Sequence, residues 1–282
     1  PIAKPQYGTQ DHVNGMNKAS AEIAGMAVTD DPDRFVAGSL GPTNVTLSIT
    51  PKVDDPSFRT ITYDQLYHGY AEAARGLRDG GVDYLLIETI FDTLNGKAAI
   101  AAARAVAPEL PLVISVSIVD RSGRNLSGQT VEAFWISVQH ARPLAVSINC
   151  SLGAEEMRPY LADLARVATV PVFCYPNAGL PNAFGGYDQQ PATTSALLHE
   201  FAEAGFVNAV VGCCGTGPEH IAEIRAAVAG MAPRTITEAI PRPRFSGMEP
   251  FEIRPDSSFG VIGERTKVPG SDRYRRRMDA AD

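Results

Sequence analysis

Six short apolar runs, at residues 35–39, 84–87, 112–116, 145–148, 170–173 and 207–211, set the strongest limit on what this chain can fold into. Each is rich in aliphatic residues and lacks the polar alternation of a half-solvated strand, so each reads as a strand buried on both faces. Between them stand segments such as "YDQLYHGYAEAARGLRDGG", "TLNGKAAIAAARAVA", "TVEAFWISVQHA", "AEEMRPYLADLARVA" and "ATTSALLHEFAEAG", with apolar residues three and four apart as on an amphipathic helix. A repeated strand–helix order implies parallel strands and an α/β architecture, either a doubly wound sheet or a (β/α)8 barrel. In both, chemistry gathers beyond the C-terminal ends of the strands.

The segments at those ends are polar and distinctive: "GSLGPTN", "IETIFDT", "SVSIVD", "INCSLGA", "YPNAGLPN" and "GCCGTGP". Cys150 closes one run and Cys213 with Cys214 follows another, which in a barrel brings three sulfurs to one face. Three thiolates suit zinc, and three protein ligands without an evident fourth suit an open, catalytic site. Buried filler and a vicinal redox pair remain open for the adjacent cysteines, because no short-range ligand motif joins position 150 to 213. Cys174, within an apolar run, reads as core.

A carboxylate directly after an apolar run is costly to bury, so Glu88 is a candidate for gripping a substrate ammonium, or for bonding nearby backbone amides. Asp92 reads as a helix cap, and Asn149, Asn177 and Asn182 as turn formers. The "GTG" before Pro218 also supports a rival reading, a phosphate-binding barrel lyase or isomerase with its anion at Gly215 to Gly217. The five histidines mostly lie within helical patterns and read as surface or packing residues.

The formal charge of −7 argues against nucleic acid, whose binders carry a basic footprint. No apolar run approaches the roughly 18 residues of a membrane span, and "PIAKPQYGTQ" lacks the apolar centre of a signal peptide, so the expected compartment is the cytoplasm. Past residue 231 the periodicity stops. "MAPRTITEAIPRPRFSGMEPFEIRPDSS", with five prolines, reads as a linker, and "FGVIGERTKVPGSDRYRRRMDAAD" as a strand, a turn and the start of a helix. The basic "RYRRRM" reads as a solvated helix face.

Taken together, "GSLGPTN", "TPKVDDPSFRTITYDQL", "IETIFDTLNGKAA", "SGQTVEAF", "INCSLGAEEMRPY", "YPNAGLPNAFGGYD" and "VGCCGTGPEHI" resemble, in order, the homocysteine-binding domain of cobalamin-dependent methionine synthases. "GVIGERT" resembles the start of that family's pterin-binding barrel, with Lys267 where the family has asparagine. The resemblance implies a (β/α)8 TIM barrel with zinc on Cys150, Cys213 and Cys214, and an Asn177 oxygen in the fourth position when substrate is absent. It implies that Glu88 holds the homocysteine amino group and that Glu264 lies on the folate side. Zinc then keeps the homocysteine thiol ionised, and the sulfur takes a methyl group from methylcobalamin to give methionine. The same resemblance implies that methylcobalamin and 5-methyltetrahydrofolate bind to other modules of a parent polypeptide. Because a barrel needs eight strands and six are visible, the first two are expected before Pro1. The expected organisation is a partial barrel of about six βα units over 1–232, a linker over 233–257, and the start of the pterin-binding domain over 258–282. A cobalamin-independent homocysteine methyltransferase using betaine or S-methylmethionine, and an inactive fragment, are the alternatives.

Overall fold

The computed structural model describes residues 8–28, 31–119, 121–239, 241–257 and 272–280. Six parallel strands, β1 (Ala37–Leu40), β2 (Tyr84–Ile90), β3 (Leu112–Val116), β4 (Ala145–Gly153), β5 (Val172–Asn177) and β6 (Ala209–Val210), pair in chain order. A doubly wound sheet reverses its strand order at a switch point; this one never reverses, which is the barrel arrangement. Among the described residues β1 and β6 do not pair with each other, so the sheet is open along that side.

Helices α2 (Tyr63–Asp79), α3 (Thr93–Val106), α4 (Val131–Val138), α5 (Ala154–Val167), α6 (Pro191–Glu203) and α7 (Pro218–Val228) follow successive strands, and α1 (Val13–Met26) precedes β1. Their starts obey local chemistry. Thr62 and Gln65 form a reciprocal capping box at α2, Asp92 caps α3, and Pro191 and Pro218 open α6 and α7 where a missing N–H does no harm. Helix α1 approaches α2 closely because Gly76 and Gly80 lack side chains: a Cβ on either would lie 2.5 Å from a backbone oxygen, that of Asn14 or of Lys18.

Strand parity divides the core. Leu85, Ile87, Leu112, Ile114, Val146, Ile148, Val172 and Cys174 join the large cluster shared with the helices. The intervening residues Leu86, Val113, Ala145 and Tyr175, with Tyr84 and Phe173 beside them, make a smaller cluster on the opposite face, the barrel interior. Glu88, Ser115, Ser147, Asn149 and Asn177 share that interior parity. Cys174 does not. It is fully buried on the helix side, 3.4 Å from Met157 Sδ, and burial pushes its thiol up out of the range where it ionises.

The proline-rich segment after α7 is folded onto the barrel. Arg234, 4% exposed, donates from Nη2 to the carbonyls of Ala165 and Ala168 (both 2.6 Å) and from Nη1 to that of Val170 (3.3 Å), serving carbonyls that the end of α5 leaves without partners. Replacing it with Met should destabilise the chain by about 3 kcal/mol, since buried acceptors then lose a charged donor. A urea midpoint unchanged from wild type would refute this.

Further on, β7 (Arg244–Ser246) and β8 (Pro250–Glu252) form an antiparallel hairpin against α4. Ser246 Oγ donates to Ala133 O (2.6 Å), Gln129 Nε2 to Gly247 O (2.8 Å), and Thr130 N to Met248 O (3.0 Å). Three-residue strands leave no periodicity to read, which is why the sequence shows only prolines there. Helix α8 (Asp272–Asp279) carries the basic cluster, with Arg275 paired to Asp272 at 2.7 Å. Glu264 and Lys267, and with them the "GERT" motif, lie outside the described residues.

Candidate metal centre

Regular alternation along β4 would send residue 150 to the helix side, after Val146 and Ile148. The backbone prevents it. Cys150 and Ser151 adopt φ of 62° and 60°, left-handed values uncommon outside glycine, and the register against β5 shifts between Asn149 and Gly153. With the alternation broken there, Cys150 Sγ lies 3.6 Å from Cys214 Sγ.

The other two sulfurs are set by a loop that stays clamped to the end of β5. Val211 N donates to Cys174 O, Cys213 N to Pro176 O, and Ala178 N to Cys214 O, at 2.9 to 3.0 Å. Cys214 N donates to the Oδ1 of buried Asn177 at 3.2 Å. The turn after them needs glycine: Gly215 has φ +79°, and a Cβ there would lie 2.3 Å from Cβ of Tyr187.

Cys213 and Cys214 sulfurs are 4.0 Å apart, and all three sulfurs lie within 4.8 Å of one another. A tetrahedral zinc with bonds of about 2.3 Å places its sulfurs about 3.8 Å apart, so the donor set and its spacing fit that ion. Among the described residues, no other group of three or more His, Cys, Asp or Glu converges in this way. Without metal the cluster shares protons unequally. Cys150 is drawn down to about 5, first by the neighbouring Cys213 thiol and then by Ser151, Cys214 and Asn177, which together outweigh burial. Cys213 is pushed up by the neighbouring Cys150 and by burial. A cation among them would let all three sulfurs ionise side by side.

Glu88 lies on β2, two strands along the sheet from β4 and two residues before the strand's end. The next residue, Thr89, has φ 56°, strained for a β-branched side chain, and the register against β3 slips between Ile87 and Ile90. Half-buried Glu88 accepts from Ser39 Oγ through Oε1 and, at 3.4 Å, from Asn149 Nδ2 through Oε2. Asn149 does not form the turn that its residue type suggests; it is a fully buried strand residue beside Cys150, bonded to Glu88, Thr89 and Ser115. The available signal was parity: counted from Ala145, position 149 falls on the interior face.

Asp92 takes the cap role and more, accepting from Leu94 N (2.9 Å), Ser48 N (2.8 Å), Ser48 Oγ (2.6 Å) and Leu47 N (3.0 Å), which fastens the loop after β1. Asn182 holds its turn by accepting from Phe184 N and Gly186 N, both at 2.9 Å. Two of the three amides of the anion-loop reading are engaged: Thr216 N bonds Cys213 O and Gly217 N bonds the His220 ring. His199 is likewise occupied, with Ala227 O at 2.7 Å.

The family model described as homocysteine S-methyltransferase matches residues 1–228. The chain belongs to the homocysteine S-methyltransferase family. The homocysteine methyltransferase MmuM from Escherichia coli has the same fold: its apo form matches with a TM-score of 0.58 at 20% identity, over 76% of this chain and 74% of that one. Its metallated form gives a TM-score of 0.58 at 20% identity over 76% and 70%. Homocysteine S-methyltransferase membership displaces the lyase and isomerase reading and makes this a methyltransferase barrel. Among the described residues no helix is long and apolar enough to cross a membrane.

Proposed function

We propose that this chain is the zinc-dependent, homocysteine-activating barrel of a cobalamin-dependent methionine synthase, in cytoplasmic methionine biosynthesis, with the barrel over 1–232, a linker over 233–257 and the start of the pterin-binding domain over 258–282. The observation that carries the reading is the meeting of three cysteine sulfurs, 3.6 and 4.0 Å apart along two of their three edges, at the C-terminal end of β4 and in the loop after β6.

In this reading Cys150, Cys213 and Cys214 hold zinc, and the Oδ1 of Asn177, with a second lone pair beside the one facing Cys214 N–H, closes the site before substrate arrives. Bound there, zinc supplies a Lewis acid that keeps the homocysteine thiol ionised near neutral pH. Glu88 accepts hydrogen bonds from the substrate ammonium and fixes the distance between the amino end and the sulfur end. Methylcobalamin would supply the methyl group, and this chain's residues would present the homocysteine sulfur, held ionised, to receive it. Methylcobalamin and 5-methyltetrahydrofolate are held by other modules of the parent polypeptide, which "GVIGERT" supports by resemblance.

The deciding measurement is a donor panel on the zinc-loaded chain with homocysteine: free methylcobalamin, S-methylmethionine and betaine in parallel. Methionine is expected from methylcobalamin alone, and lost after dialysis against a chelator. Turnover with S-methylmethionine or betaine but not methylcobalamin would replace the cobalamin reading, and no turnover with any donor would make the chain an inactive piece.

A further inference from the structure

Asn149 is bonded on every side that its amide can use. Its Oδ1 accepts from Thr89 N at 3.0 Å and Ser115 Oγ at 2.6 Å, and its Nδ2 donates to Thr89 Oγ1 at 2.9 Å and Glu88 Oε2 at 3.4 Å. The amide orientation is forced by its partners: a backbone N–H can only donate and a carboxylate can only accept. The side chain is 0% exposed and projects from β4 past β3 to β2, and its own backbone joins Cys150.

The two strands it connects are irregular at the same level. Thr89 and Cys150 both have positive φ, each at a register shift, and each immediately follows a residue of this network, Glu88 or Asn149. With Ser39 on Glu88 Oε1, a single interior layer runs from β1 to β4 as Ser39, Glu88, Asn149 and Ser115. Strained backbone of this kind persists only where its surroundings over-determine it, and Asn149 is what bonds the Thr89 peptide.

We infer that Asn149 is a positioning residue that ties the carboxylate at Glu88 to the cysteine at 150, so that the grip on the amino end and the thiolate cluster keep a fixed separation. The inference rests on the proposal that Glu88 receives the substrate ammonium. Asn149→Asp is the sharp variant, because it keeps the shape and the two acceptor roles but cannot donate to Glu88 and places a second carboxylate against it. Asn149→Ala removes the whole link.

The test is a double-substitution cycle on the zinc-loaded full chain, read by homocysteine KM, kcat and bound zinc. Asn149→Asp is expected to raise KM about tenfold, as for a lost hydrogen bond to a charged group, with bound zinc unchanged and kcat moved less. Because Asn149 acts through Glu88, adding Asn149→Asp to Glu88→Gln should raise KM less than twofold further. Independent, multiplying effects would overturn the inference, as would a KM unaltered by either Asn149 variant while Glu88→Gln raises it. If Glu88→Gln itself leaves KM unchanged, the ammonium reading fails first. Should Asn149→Asp lose its cooperative unfolding transition, Asn149→Ala carries the same comparison; loss of folding in both would mark a purely structural residue and overturn the inference.

Discussion

Cys213→Ser is expected to release the metal and abolish methyl transfer while leaving the barrel folded. Apparent zinc-binding energies of about 10–16 kcal/mol shared among four ligands give about 2.5–4 kcal/mol for each, so one lost thiolate weakens binding by about 10²–10³. Serine keeps the shape but not the acidity needed to face a cation beside two thiolates. The backbone of Cys213 is anchored to Pro176 O independently of its side chain, so the loop should persist. Metal content by plasma emission, with an unfolding curve alongside, checks both halves. Cys174→Ala is the matched control: on the helix face of β5, it should retain zinc even where it loses stability. Equal metal in wild type and Cys213→Ser would end the ligand assignment.

The second large effect is on substrate choice. Glu88→Gln removes a charged acceptor worth about 1.5–3 kcal/mol, so kcat/KM for homocysteine should fall by roughly tenfold to 150-fold. A thiol of the same length without the amino group should lose almost nothing. The wild-type preference for homocysteine over that thiol would then collapse in the variant, which separates an ammonium contact from general damage. A uniform loss on both thiols would show that Glu88 serves the fold rather than the substrate.

Much of the architecture was legible because strand burial and helix periodicity are local properties. The runs at 112–116 and 84–87 coincide with β3 and the start of β2, and the helix cap at Asp92 lies in short-range context. The convergence of Cys150 with Cys213 was not legible from spacing. It depends on two successive left-handed residues at 150 and 151, neither of them glycine, and resemblance to a known family was what joined the two positions. Asn149 is obscured for a related reason: asparagine favours turns, and only its parity on β4 marks it as an interior residue. The hairpin at β7 and β8 was invisible because it is held by single bonds to Ala133, Gln129 and Thr130, distant in sequence, rather than by a pattern of its own.

The contact between Tyr187 and the turn at Gly215 has a consequence for anyone recombining relatives of this barrel. Ala178 and Asn177 bond the Cys214 peptide on one side, His220 bonds Gln189 O at 2.9 Å on the other, and Tyr187 occupies the space that a side chain at 215 would fill. Residues 177–189 and 211–220 are therefore a single transplantable cassette: grafting one from a homologue without the other would break the seam that keeps two of the three sulfurs in place.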